Sequence, residues 1–470
     1  MKDFWQMIVG AFAGASSFLE IRSVIAYLIG FVVVFHGTGL TLASEHRWYE
    51  SIFNQTSFER GYAYKEGSPS ASSDGRHALP TDPVPLRSSE MLDRLDDAIA
   101  RYKEIIKKGG WSHAKRLRFV RRGAEHEALP SVRRQLVATG DIPAKAARYY
   151  VGSRHFDEWL EYGVKQFQRR HGLRVTGRID LSTRVQLSVS PKARLRQLKL
   201  SRRRVAQLLQ GRKPKRYVLV NIPGFQLEAV EGTKVINRHR VIVGKPDRKT
   251  PTLDVMIRAV NFLPYWRVPD SIAKRDLIPR LKRDPEYLER EHIRVARGSY
   301  NGTELNTEDL DWRKFNATNI RFKQAPGPWN ALGLVRIDMP NKDIVYLHDT
   351  PLKSLFKHHR RAFSAGCVRV QNIMDLVAWI AKDEKGFDTV SAIKTFVDSV
   401  DPDSLRKKRP KNLDVQLSRP IPVKFVYVTA WVQKDGMVQF RSDIYERDGT
   451  RSTAKVSDAE PPPSASALSP

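Results

Sequence analysis

The sequence predicts an α+β multidomain chain: a helical N-terminal half, then a mostly antiparallel β domain with a helical insertion. Three observations carry the prediction. Between residues 89 and 215 apolar residues recur at helical spacing. From Arg216 the text changes to an alternation of β-branched and polar residues, punctuated by turns at Pro223-Gly224 and Glu231-Gly232. Over about 266–320 helical periodicity and a polar loop interrupt that strand text. An insertion of about 55 residues has the length of a lid, not of a turn.

Composition bounds the rest. The 470 residues suffice for roughly two to four domains. A net charge of +30 calls for an anionic partner: nucleic acid, an acidic envelope polymer or an anionic membrane surface. The N-terminus decides among these. After a short segment, 1–23, residues 24–44 form an uncharged run that is densely apolar over 24–35. The run fits either a membrane anchor or the core of a signal cleaved before Ser44, with Thr41 and Ala43 at the −3 and −1 positions. Lys2 and Arg22 precede it, so the rest of the chain is expected outside. That placement argues against nucleic acid. A tether rich in Ser, Pro and Gly fills 45–88, and the tail, 449–470, has the composition of a disordered segment.

The elements follow in order. In SSEMLDRLDDAIARYKEIIKKGGW, Leu92, Leu95, Ile99, Tyr102 and Ile106 share one helical face, and Gly109-Gly110 stops the helix. A second helix spans about 130–139. A third, in FDEWLEYGVKQFQRRHGL, is expected to turn Trp159, Val164 and Phe167 inward and to end at His171-Gly172. A turn at Thr176-Gly177 then leads to a short helix capped near Asp180 or Ser182. Residues 191–216 hold eleven Lys or Arg and no acid, on a basic amphipathic connecting helix. Strands are expected from Arg216 to about Trp266, in LGLVRIDMP and DIVYLHDTP, and in VKFVYVTAWV and MVQFRSDIY, the last pair rejoining the same sheet.

Cys367 is the only cysteine. A lone thiol in an exported chain is either buried or reactive. Its surroundings favour reactivity: IVYLHDTPLKSLFKHHRRAFSAGCVRVQN carries His348 on a strand and Cys367 on a turn of small residues. An imidazole beside a thiol lowers the thiol pKa and shuttles its proton. Backbone N–H groups of a tight turn can face a reacting carbonyl oxygen. The helical periodicity after Cys367 also places the thiol near a helix N-terminus, which favours its anion. This supports nucleophilic catalysis and leaves the substrate open.

Two resemblances narrow it. VKQFQRRHGLRVTGRIDLSTRVQL, within about 156–190, resembles the peptidoglycan-binding module of bacterial wall enzymes. YLHDTP followed by RAFSAGCVRV resembles the signature of L,D-transpeptidases with a YkuD-type catalytic domain, with fifteen residues between His348 and Ser364. Together with YVLVNIPGFQL, QAPGPWNALGLVRIDMPN and PIPVKFVYVTAWVQKDGMVQFRSDIY, the text is similar to the large YcbB-like murein L,D-transpeptidases of Gram-negative bacteria.

The resemblance implies a helical scaffold over 89–215 that holds the small α-helical module, and a YkuD-like β-sandwich over 216–448 with its lid. It implies a periplasmic enzyme, anchored in the inner membrane or exported after cleavage, with peptidoglycan stem peptides and glycan as partners. Cys367 would attack the bond between diaminopimelate and D-alanine, with His348 as base and then acid. The backbone of Asp349 would orient the imidazole, and the Gly366 and Cys367 amides would hold the oxyanion. Ser364 and Arg369 would support the turn or bind a substrate carboxylate; Tyr346 and Trp266 would line the groove under the lid. No metal or organic cofactor is implied, and His358-His359 reads as an exposed basic loop. Ala365 departs from the signature, which has histidine or serine there. A carboxypeptidase, a wall-protein ligase and an inactive wall-binding protein stay open as alternatives. A serine enzyme of the S-x-x-K type does not: that spacing recurs at Ser112, Ser271, Ser354, Ser391 and Ser452, and its companion motifs are absent.

Overall fold

The alternation that starts at Arg216 becomes β1 (Arg216–Asn221), and this strand explains the layering. Val218 and Val220 enter one hydrophobic core, Tyr217 and Leu219 another, so the strand is buried on both faces and reads as an apolar run. The computed structural model describes residues 79–449 except 80, 112–116, 118, 145–151, 212, 313–318, 402–403 and 406–408. The apolar run 24–44, most of the linker and the tail from 450 lie outside the described residues. Among the described residues no helix is long and apolar enough to cross a membrane.

Strands β2 (Gln226–Glu231), β3 (Lys234–Gly244) and β4 (Leu253–Phe262) continue from β1. The insertion follows and holds β5 (Trp266–Arg267), β6 (Ile293–Arg297), β7 (Glu304–Leu305) and β8 (Ile320–Gln324). The chain then returns through β9 (Val335–Asp338), β10 (Leu347–His348), β11 (Ala362–Ser364), β12 (Val368–Val370) and β13 (Asp414–Val426). The main sheet has nine strands in the order β11-β3-β12-β10-β9-β4-β13-β1-β2, and β2 pairs β3 as well, so the hydrogen-bonded circuit closes on itself. Most pairings are antiparallel; β1 with β13, β10 with β12 and β11 with β3 are parallel.

Helices cover this sheet. Of α1 (Ser89–Lys107), α2 (Leu129–Ala138), α3 (Glu158–Arg170), α4 (Leu181–Leu187) and α5 (Pro191–Leu209), α1 and α5 pack on each other and on the Tyr217–Leu219 face. The other core is closed by α6 (Ile373–Ile380) and α7 (Val390–Asp398). The architecture is α+β and multidomain, with β the larger part of the C-terminal half. Two expectations change in detail. β14 (Ala430–Val432) and β15 (Val438–Phe440) form a separate two-stranded ribbon, because their apolar side chains serve the α1/α5 core and not the main sheet. The insertion is only partly helical: its helical turns at Asp270–Leu281 and Tyr287–Arg290 lie on a four-stranded antiparallel sheet, β5-β8-β6-β7.

The module around α3 has its own core, with Leu160, Val164, Phe167, Ile179 and Leu187 buried together. Gln168 is fully buried and clamps the following turn. Its amide donates to Thr176 Oγ1 (3.0 Å), Arg178 C=O (2.8 Å) and Thr183 Oγ1 (2.9 Å), and its oxygen accepts from the Thr176 and Gly177 amides (both 2.9 Å). Trp159 was expected inside and lies outside, 37% exposed. The inward face of α3 runs through Leu160, Val164 and Phe167 at i, i+4 and i+7, which leaves no room for Trp159.

Candidate active site

Strand register brings the chemistry together. β10 and β12 pair in parallel with Leu347 opposite Val368 and His348 opposite Arg369. Side chains alternate along a strand, so Tyr346 and His348 share a face with Cys367 and Arg369. With strands about 4.8 Å apart and about 6.6 Å per two residues, His348 and Cys367 lie about 8 Å apart at Cα, within reach of their side chains. The Tyr346 ring meets the His348 ring edge-on at 5.6 Å between centroids, and Tyr346 lies near enough to the thiol to draw its pKa down.

The turn that presents the thiol is fixed from below. Ser364 is fully buried; its hydroxyl donates to the Cys367 carbonyl (2.5 Å) and accepts from the Gly366 amide (3.1 Å). Thr250, also fully buried, donates to the Gly366 carbonyl (2.7 Å) and accepts from the Gly244 amide (2.8 Å). The Tyr445 hydroxyl donates to the Gly244 carbonyl (2.6 Å) and accepts from the Thr250 amide (3.1 Å). Gly244 permits this knot, since a Cβ there would stand 2.0 Å from the Arg248 carbonyl oxygen. Gly366 has φ +132°, a conformation that glycine adopts freely and other residues do not.

These bonds correct the sequence expectation for Gly366. Its amide is engaged by Ser364 Oγ, so it is not free to hold an oxyanion. The helix-N-terminus expectation also fails: Val368 and Val370 alternate into β12, and α6 begins only after Asn372. Ser364 supports the turn. Asp349 acts mainly through its carboxylate, which accepts from the Leu334 amide (3.2 Å) and pairs with the Lys353 ammonium. Its main chain raises the His348 pKa, yet neither imidazole nitrogen has a full hydrogen-bond partner among the described residues. Trp266 is a core residue of the insertion, 5% exposed.

Burial governs the electrostatics. His348 is fully buried, and desolvation, helped by the Arg369 charge, holds its pKa well below 6.5. Desolvation also pushes the Cys367 thiol up from 9.0; hydrogen bonding from Tyr346 and the Arg369 charge act against it. Arg369 is itself pushed down to about 10 by burial. Both shifts favour thiol and neutral imidazole at neutral pH. The insertion borders the site: its core, built on Trp266, Ile272, Leu281, Val295 and Phe322, packs against Tyr346 and Ala365. Arg248 ties the Gly244–Thr250 loop to the insertion by a two-pronged ion pair with Asp276, one arm at 2.7 Å.

Sequence reasoning missed Thr250, Tyr445 and Ile344. Tyr445 lies in a segment that carries the resemblance, but neither it nor Thr250 has a local signal for the role of its hydroxyl. Ile344 is 75% exposed at φ +53°, a strained setting for a β-branched residue, and its carbonyl is 4.0 Å from the Cys367 sulfur. Asn341 holds it there by accepting from the Val345 amide (3.1 Å) and donating to the Val345 and Met339 carbonyls (both 2.6 Å).

Residues 215–397, which contain this whole arrangement apart from Tyr445, match the family model described as "L,D-transpeptidase catalytic domain". The region is a YkuD L,D-transpeptidase catalytic domain. Residues 145–187 match "Putative peptidoglycan binding domain". A "Putative L,D-transpeptidase" of Haemophilus influenzae is 31% identical over 244 residues, 51% of this chain and 46% of its own. The chain thus spans about half the length of that curated relative. Among solved structures, an L,D-transpeptidase from Mycobacterium smegmatis aligns at 12% identity over 45% of this chain and 58% of its own, TM-score 0.23. One from Xylanimonas cellulosilytica aligns at 15% identity over 66% and 98%, TM-score 0.19.

Proposed function

We propose that the protein is a peptidoglycan L,D-transpeptidase that forms 3→3 cross-links through a thioester on Cys367, outside the cytoplasm. The observation that carries this is the shared face of His348, Tyr346 and Cys367 within a YkuD catalytic domain.

Neutral His348 takes the thiol proton as the Cys367 sulfur attacks the carbonyl between diaminopimelate and D-alanine. The Cys367 amide, with the Tyr346 hydroxyl beside it, faces the developing oxyanion. The C–N bond breaks, the imidazolium gives its proton to the departing D-alanine amine, and a thioester remains. The side-chain amine of a second stem, deprotonated by His348, attacks the thioester; the C–S bond breaks and the thiolate recovers the proton. Arg369 stabilises sulfur while it carries charge.

The test is incubation with purified disaccharide-tetrapeptide, read by mass spectrometry beside Cys367→Ala. Loss of D-alanine with a cross-linked dimer, absent in the variant, is expected. Loss of D-alanine without dimer would assign a carboxypeptidase instead. No turnover by either protein would overturn the catalytic reading.

A further inference from the structure

The peptidoglycan-binding module carries a surface that its own folding does not explain. Among the described residues six large hydrophobic side chains are exposed, and four lie in or against this module: Phe119 (55%), Trp159 (37%), Tyr162 (44%) and Leu181 (49%). Exposed aromatic clusters of this kind mark binding surfaces. Trp159 and Tyr162 stand one helical turn apart on α3, with rings edge to face at 6.2 Å and 75°. Leu160, Val164 and Phe167 already fill the core, so neither ring has a packing role.

Trp159 also walls a notch of about 250 Å³ with Arg122, Gly123, His155, Phe156, Asp157 and Glu158. Arg122 and Gly123 lie outside residues 145–187, so the notch is a composite of that region and the loop before α2. Its charges are paired off: the Arg122 guanidinium is 3.7 Å from both Glu158 and Glu161, Glu161 is also paired with Lys165 at 2.6 Å, and Asp157 is paired with Arg133 at 3.0 Å. A balanced notch beside aromatic rings suits a neutral ligand with one apolar face and a polar rim. It suits neither an acidic peptide nor a second protein, which needs a far larger apolar patch.

We propose that Trp159, Tyr162 and the Arg122 notch form a saccharide platform that holds one N-acetylated sugar of a glycan strand. The apolar ring face lies on the indole, and the amide and hydroxyl groups reach the polar rim of the notch. This rests on the peptidoglycan-binding reading of the module and names its ligand part. The sugar is held independently of its stem peptide, so the platform would present stems along one strand to the catalytic domain.

The experiment uses the full chain, co-sedimented with purified sacculi and with glycan strands stripped of stems by an amidase. Wild type binds both, and Trp159→Ala/Tyr162→Ala binds stripped strands at least tenfold more weakly. Trp159→Phe/Tyr162→Phe restores most of the affinity, since rings and not their polar atoms make the contact. The far-UV spectrum and unfolding midpoint of both variants match wild type, as expected for exposed positions. Wild-type binding to stripped strands by the alanine variant overturns the proposal. So does binding of wild type to sacculi but not to stripped strands, which assigns recognition to stem peptides. Failure of wild type to bind either would overturn the peptidoglycan-binding reading as well, while D-alanine release from soluble disaccharide-tetrapeptide reports the catalytic reading separately.

Discussion

Replacing Thr250 by Val tests whether the nucleophile turn is held from below. Val preserves the shape and removes the hydroxyl, leaving the Gly366 carbonyl and the Gly244 amide without the partners they have at 2.7 and 2.8 Å. Thr250 is fully buried, so water does not replace the lost bonds. Each unsatisfied backbone group costs about 1–3 kcal/mol, and the pair lowers stability by about 3 kcal/mol. Catalysis suffers separately. The Gly366 carbonyl precedes Cys367 directly, and a misplacement of about 1 Å at a nucleophile reduces turnover roughly a hundredfold. The expected result is a fall in kcat of about that size with KM little changed, measured by D-alanine release at a temperature where the variant is folded. Urea unfolding gives the stability loss in parallel. Thr250→Ser keeps both hydrogen bonds and recovers kcat, losing only a methyl group. Wild-type kcat in Thr250→Val, with the stability loss present, would refute the claim that these bonds position the thiol.

Three further outcomes follow from the same structure. His171, His239 and His348 are all buried with pKa values lowered below 6.5, chiefly by desolvation, so the unfolded chain binds protons that the folded chain does not. Stability therefore falls as pH drops below 6.5, by up to about 1.4 kcal/mol per pH unit for each histidine; His239→Gln should remove one such share of the slope in urea unfolding between pH 7 and 5, and an unchanged slope would contradict it. Glu291, 6% exposed in the insertion, is pushed up to about 7 from 4.5 by burial, so its ionisation opposes folding above the unfolded value. Glu291→Gln is expected to raise stability by up to about 3 kcal/mol at pH 8 and to leave it unchanged at pH 4, read by thermal unfolding at both. Finally, with a net charge of +30, binding to sacculi should weaken as salt rises from about 0.05 to 0.5 M; binding insensitive to salt would rule out charge as the means of retention.

Local rules made much of this chain legible. The boundaries of α3 and α4 follow from Asp157 and Asp180 as caps, whose carboxylates accept from Leu160 and Thr183. The hairpins through β1, β2 and β3 follow from alternation and two turn signals. The placement of His348 and Cys367 at neighbouring strands was legible because a motif fixed their separation. What could not be read depends on register between distant segments. Whether β15 joins the main sheet is decided by Phe440 packing under α1 and α5, more than 230 residues away for α5 and further for α1. The fate of the Gly366 amide is decided by a hydroxyl two residues before it. Thr250 and Tyr445 reach the same turn from segments about 116 and 78 residues from Cys367, and no periodicity announces such contacts. Trp159 misled for a different reason: a large aromatic near helical spacing looks like core until the true stripe, one residue on, is seen.

Ala365 ties the chemistry to the fold. It follows Ser364 directly in the nucleophile turn, and its methyl group packs, with Tyr346, against the core of the insertion. A polar side chain there would bring water into that seam, and water beside His348 and Cys367 would undo the desolvation that keeps both groups neutral. Neutrality has a chemical consequence. Oxidation of cysteine follows thiolate character and exposure, and this chain has a single cysteine whose proposed substrate lies outside the cytoplasm. Cys367 is only partly buried, so its protection until a stem peptide reaches it comes from the protonated form of the thiol. In the proposed mechanism His348 then removes the proton within the reaction step, with Tyr346 and Arg369 stabilising the charge on sulfur. The departure of Ala365 from the signature is therefore consistent with an active turn whose seam with the insertion has been made apolar.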